Sequence, residues 1–213
     1  MISLIMQGRY ELFILLLIAI VISLSFHEFG HAWTAKMFGD NTAERMGRLT
    51  INPLAHIDPM GLLMVALIGF GYAKPVPTNP RNFNSKQASL WISAAGPGMN
   101  LILAFVCLNL QVAAFAFQID ILSGAGAQFF LQYLAFINII LMLFNLIPIG
   151  PLDGHYILPY FLTKHHANKY VQWNAQYGSM ILFGFIGLSM LGVPIFSFLM
   201  GFAGNISKFL IVF

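Results

Sequence analysis

Two uncharged runs, Ala88 to Phe117 and Ala127 to Ile147, dictate most of what this chain can become. A helix needs about 20 apolar residues to cross the hydrocarbon core of a bilayer, and both runs reach that length. No water is present there to satisfy an exposed N–H or C=O, so a spanning segment must bond its own backbone, as a helix does. The short turn "QIDILSGAG" between the runs makes them a helical hairpin. A third uncharged run, Leu12 to Phe26, precedes them. Of the 213 residues 59% are hydrophobic and 8% charged, a balance that ordinary water-soluble domains do not show. No polar stretch is long enough to enclose a separate soluble core. The expected fold class is an all-α polytopic membrane protein, a single membrane-embedded domain over residues 1–213.

The remaining segments arrange themselves around these runs. A helix over residues 10–36 takes in the first run, with Trp33 and Lys36 marking an interface. Arg9 ahead of an apolar stretch resembles a signal peptide, but no small-x-small cleavage site follows, so the segment is read as a span. Residues 39–87 read as a re-entrant and loop region. Its "GDNTAERMGRLTINPLAHIDP" mixes charges, Gly and Pro with β-compatible pieces such as "RLTI", compatible with a small β-hairpin. Met60 to Tyr72 is too short to span and suits a re-entrant element. The prolines of "AKPVPTNPRNFN" forbid regular helix or central strand. After the hairpin of residues 88–147 come the irregular "LDG" segment, 148–158, and a polar loop with Lys164, His165, His166 and Lys169. Pro194 divides the last apolar stretch, 178–213, into two C-terminal membrane segments.

Three ionisable groups stand in the first helix, where lipid makes them expensive. In "HEFGH" the imidazoles of His27 and His31 lie one helical turn apart on one face and can bind a single Zn²⁺. Glu28 sits beside that face, and its carboxylate can take a proton from a water whose pKa the metal lowers to about 7. At about 1.5 Å per residue, His31 and His27 lie about 3 and 9 Å inside the level of Trp33. The alternative is polar glue between helices, with Glu28 paired to Arg45 or Arg48. A hydrolytic zinc needs a third protein ligand and an open fourth position. Among the seven acidic residues Asp153 differs: it closes an apolar helix, between Pro151 and Gly154, on irregular backbone that can turn the carboxylate inward.

"HEFGH", "NPLAHIDPMG", "GYAKPVPTNPRNF", "AAGPGMN" and "FNLIPIGPLDG", in that order, resemble the site-2 protease family of intramembrane zinc metalloproteases. The resemblance runs from Ser23 to Leu158. It implies Zn²⁺ as cofactor, His27, His31 and Asp153 as its ligands and Glu28 as catalytic acid/base. It also implies transmembrane protein substrates, cut in or near their spans, in a minimal form without PDZ or CBS domains. Two readings of the middle region stay open: a strand edge at Arg45 to Ile51 that captures unwound substrate by β-augmentation, and a re-entrant plug that buries the zinc site.

Asn100, Asn138 and Asn145 lie in or at the ends of the hairpin helices, where interhelical hydrogen bonding is the ordinary role. Asn100 is the first choice for a contact with substrate or its oxyanion, and Asn145 the second. Gly96 and Gly98 are read as permitting close helix approach, and His155 as a neighbour of the site. His56, His165 and His166 are read as loop histidines. The single Cys107 excludes an internal disulfide and a multi-cysteine zinc site. The net charge of +3 comes from scattered basic residues, which points to the lipid bilayer rather than nucleic acid.

A zinc site shared by the first helix and Asp153 places Met37, Ala88 and Ile147 on one side of the membrane. That face carries Lys36, Arg45, Arg48, Lys74, Arg81, Lys86, Lys164 and Lys169, while the turn Gln118 to Gly126 carries no basic residue. The positive-inside rule makes the face cytoplasmic, in a cell (plasma) membrane. The rival readings are a zinc carrier or sensor and an inactive protease-like scaffold. Glu28, beside the site but not needed as a ligand, separates enzyme from carrier.

Overall fold

The computed structural model describes residues 1–212. Numbering the helices of ten residues or more, α1 is Tyr10–Met37, α2 Pro59–Ile68, α3 Ala88–Ala116, α4 Ala125–Asn145, α5 Lys164–Trp173, α6 Ser179–Met190 and α7 Ser197–Leu210. Among the described residues three helices, α1, α3 and α4, are long and apolar enough to cross a membrane.

Helix α3 packs along both α1 and α4. Fully buried Ala19, Ala104 and Ala135 let these helices approach closely, and Leu108 and Ile139 fill the space between them. Small residues serve here because lipid is as apolar as leucine, so packing rather than water exclusion drives association. Ala203 of α7 completes this core. At one end, Ala35 of α1 meets Ala88 and Ile92 of α3, with Phe38 and Phe83 packed against them. Residues 38–87 therefore leave and return at the same end of the bundle.

Within that excursion α2 has clear local causes. The Asp58 carboxylate accepts the Gly61 N–H at 2.8 Å, Pro59 holds the first turn and Gly69 ends the helix. Ten residues rise about 15 Å, half a bilayer core, so α2 is too short to cross one. Fully buried Asp40 ties the two ends of the excursion together, accepting from Thr42, the Asn79 N–H and the Asn82 amide. Burial works against its charged form, but these donors prevail and hold the carboxyl below the usual range.

Two expectations need correction. The β-hairpin does not form: no strand is present among the described residues, and Arg45 to Ile51 offers no strand edge. A short helix, Thr42–Arg45, ends in a turn at Gly47, and the polar groups that follow are spent elsewhere. Arg48 donates to the carbonyls of Lys74 and Pro75, and buried His56 donates from Nε2 to the Thr50 carbonyl at 2.7 Å. His56 is thus an internal brace rather than a solvated loop histidine. The polar loop after residue 163 is also not a loop. It is α5, which runs without a break through a π-turn, Asn174–Gly178, into α6. Pro194 lies in the turn between α6 and α7, each shorter than a full span.

Candidate metal centre

The α-helical period carries His27 and His31 to one face of α1, and the turn after α4 brings Asp153 against them. Nε2 of His31 lies 3.0 Å from Nε2 of His27. The Asp153 carboxylate sits 3.2 Å from His27 Nε2 and 3.3 Å from His31 Nε2.

The other ring nitrogens fix the protons. His31 Nδ1 lies 2.7 Å from the Ile92 carbonyl, which can only accept, so Nδ1 carries the hydrogen. His27 Nδ1 lies 2.7 Å from Asn100 Oδ1. The Asn100 amide donates its own hydrogens to the Ser23 carbonyl and to Asn138 Oδ1, so His27 Nδ1 donates too. A neutral imidazole protonated at Nδ1 presents a bare lone pair at Nε2. With both rings in this neutral form the close Nε2 and carboxylate approaches are not hydrogen bonds, and Asp153 Oδ2 is a buried oxygen without a hydrogen-bond partner.

Two imidazole nitrogens 3.0 Å apart, with Asp153 Oδ2 3.2 Å from one and Oδ1 3.3 Å from the other, form the donor set of a cation site. Ligand atoms about 2.0–2.2 Å from a tetrahedral zinc lie about 3.3 Å from one another, so the donor set and its spacing fit that ion. The first helix also supplies Glu28, buried and not part of the triad, whose Oε2 accepts the Val76 N–H at 2.8 Å. Glu28 pairs with neither Arg45 nor Arg48.

Gly96 makes room for the centre. A Cβ there would strike His31 Nε2 and the ring of His27, so α3 can face the imidazoles only with bare backbone. Gly98, expected to share that role, faces open space.

The asparagines also divide. Asn100 is fully buried and both ends of its amide are occupied: Oδ1 accepts from His27 Nδ1, and Nδ2 donates to the Ser23 carbonyl and Asn138 Oδ1. Asn138 continues the network, donating to Ser23 Oγ at 2.8 Å and the Leu134 carbonyl at 2.8 Å. Asn145 is only partly buried and spends one N–H, on the Leu141 carbonyl at 3.0 Å. His155 donates to the Leu152 carbonyl and its ring lies tilted against Tyr156, and it is not part of the triad. His165 and His166 are exposed. Sequence reasoning missed Ile92 and Val76, which act through backbone groups that no side-chain pattern reveals.

The profile of peptidase family M50 matches residues 15–122 and 112–186. The chain belongs to that family. This M50 peptidase is 42% identical over 147 residues to YwhC of Bacillus subtilis, covering 67% of each chain. It is 38% identical over 151 residues to Rip2 of Mycolicibacterium smegmatis, covering 67% of this chain and 55% of that protein. Both relatives are provisionally named zinc metalloproteases. Zinc metalloprotease MJ0392 of Methanocaldococcus jannaschii is 27% identical over 186 residues, covering 84% of this chain and 44% of its own. The M50 peptidase thus spans from under half to two thirds of these relatives' lengths. No solved structure matches it. Family membership and the three long apolar helices make it a multi-pass membrane zinc metalloprotease.

Proposed function

We propose that the chain acts as one membrane-embedded unit that hydrolyses peptide bonds in or near the transmembrane segments of membrane-protein substrates. Zinc is held by His27, His31 and Asp153, and Glu28 is the acid/base. The observation that carries this reading is the meeting of two imidazole nitrogens and the Asp153 carboxylate beside a second carboxylate that the metal does not require. Bound there, zinc supplies Lewis acidity toward a carbonyl and makes a water reactive near neutral pH. Glu28 takes the attacking water's proton and passes it to the leaving amine. The Val76 N–H holds its Oε2, so the proton moves at Oε1. The ring bonds to Asn100 and the Ile92 carbonyl keep both Nε2 atoms turned to the centre. With Asn100 fully engaged, Asn145 takes the substrate role, its second N–H free for a carbonyl or oxyanion.

The test is cleavage of single-span membrane proteins by the purified chain. Hydrolysis stops on addition of a zinc chelator and returns on adding zinc. Cleavage that persists after complete removal of zinc would refute the proposed chemistry.

The basic residues support a cytoplasmic orientation for the end of the bundle that holds the centre, in the plasma membrane. In a Cys107→Ser background, cysteines placed at Asn82 and Asn168 are expected to resist an impermeant thiol reagent in intact cells, and one at Gly124 to react. The reverse pattern inverts the orientation.

A further inference from the structure

The two histidines are fixed through their Nδ1 bonds, but Asp153 has no such support: its Oδ2 is buried without a hydrogen-bond partner among the described residues. Its position has to come from the backbone that carries it. That backbone, Pro148 to Asp153, is poor in donors: two of its residues are prolines, and the Ile149 N–H is spent on the Ile147 carbonyl at 2.9 Å. Gly150 sits in the left-handed region, with φ of 67°, and can find partners only outside the loop.

It finds them in the π-turn between α5 and α6. Buried Asn174 accepts the Gly150 N–H through Oδ1 at 3.0 Å and donates from Nδ2 to the Gly150 carbonyl at 3.2 Å. Both backbone groups of one residue are thereby held by one side-chain amide. One turn earlier, the Tyr170 hydroxyl donates to the Pro148 carbonyl at 2.9 Å. One turn later, Gly178 leaves the space that the Asn174 amide fills, since a Cβ there would strike its Oδ1. Residues 170, 174 and 178 thus present one continuous face to the loop. π-turns are rare, and they concentrate at functional sites because the extra residue re-aims a side chain.

We propose that Asn174 is a positioning residue for the metal centre: by clamping Gly150 it sets where Asp153 stands relative to His27 and His31. The inference rests on Asp153 being a zinc ligand. Without the clamp, Gly150 keeps a buried N–H and C=O with no partners, and the loop shifts to satisfy them, carrying the carboxylate off the Nε2 pair.

The test uses the purified 213-residue chain in detergent, with zinc affinity measured by competition against a chromophoric chelator and ligand geometry read from the visible bands of the cobalt-substituted protein. Asn174→Ala is expected to lower zinc affinity by about 10- to 100-fold, as loss of a group supporting a ligand does, and to alter the cobalt bands. In the Asp153→Asn background the same change should lower affinity no further, because its effect passes through Asp153. Should Asn174→Ala fail to fold, Asn174→Asp keeps the acceptor, loses the donor and should weaken zinc binding several-fold. Parental zinc affinity and cobalt bands in the folded Asn174 variant, alongside weakened binding in Asp153→Asn, would overturn the positioning role. Equal losses in both backgrounds would overturn it as well, marking a general scaffold effect. Unchanged affinity in Asp153→Asn itself would instead show that the ligand assignment is wrong.

Discussion

Glu28→Gln is expected to leave zinc bound and to reduce peptide-bond cleavage by about 10²- to 10⁴-fold, the range in which a positioned general acid/base contributes. Glutamine keeps the shape of the side chain and can still accept the Val76 N–H through its amide oxygen, so the local hydrogen bond survives. What it cannot do is take a proton from water. The metal should be undisturbed, because His27, His31 and Asp153 form the triad without Glu28. The measurement is zinc content and cleavage rate on one purified sample. Cleavage at the parental rate by a metal-loaded Glu28→Gln protein would remove Glu28 from the mechanism. A zinc carrier, by contrast, should tolerate the change.

Gly96→Ala is expected to empty the centre. The added methyl lands on His31 Nε2 and the His27 ring, and neither imidazole can swing away without giving up its Nδ1 bond to the Ile92 carbonyl or to Asn100. Helix α3 cannot retreat easily either, because Ala104 and Leu108 are packed against its neighbours. Displacing two ligands at once should lower zinc affinity by more than the roughly 10- to 100-fold that follows loss of one supporting group. Gly98→Ala is the matched control. It adds the same methyl to the same helix where nothing lies within 4 Å, so zinc content and cleavage should stay near parental values. Full zinc occupancy in Gly96→Ala would mean that the histidines have freedom which their hydrogen bonds do not suggest.

The parts of this architecture legible in the sequence are those set by short-range rules. Uncharged runs of spanning length mark α3 and α4 without help from the rest of the chain, and a shorter one, Leu12 to Phe26, marks the first part of α1. The i, i+4 spacing puts His27 and His31 on one face whatever α1 packs against. Asp153 stands out because its surroundings are otherwise free of charge. What stayed hidden depends on how elements turn toward one another. Asn100 could face substrate or His27, and only the rotation of α3 about its axis decides. The β-compatible "RLTI" never pairs, because Arg48 and His56 bind carbonyls of the excursion itself. The "KHHANKYVQW" segment looks like a solvated loop by composition. Its fixed points are Tyr170, bonded to the Pro148 carbonyl, and Asn174 just beyond it, whose partner Gly150 lies 24 residues away.

The chain of amides from His27 through Asn100 and Asn138 to Ser23 has a mechanical meaning. It crosses α1, α3 and α4 where Ser23, Asn100 and Asn138 are fully buried, with each donor and acceptor already matched. Sliding or rotating any one of these helices would strand a polar group in apolar surroundings, which costs about several kcal/mol for each group left unpaired. The three helices therefore behave as a rigid tripod about the metal, and a substrate helix cannot enter by parting its legs. On the proposed function, access would come from the excursion around α2, whose Val76 meets Glu28, since α5 and α6 carry the Asn174 clamp on the Asp153 loop and Ala203 of α7 is packed into the core. On that function, holding the metal and admitting substrate fall to separate pieces of the chain, so the centre can stay assembled while the entrance moves.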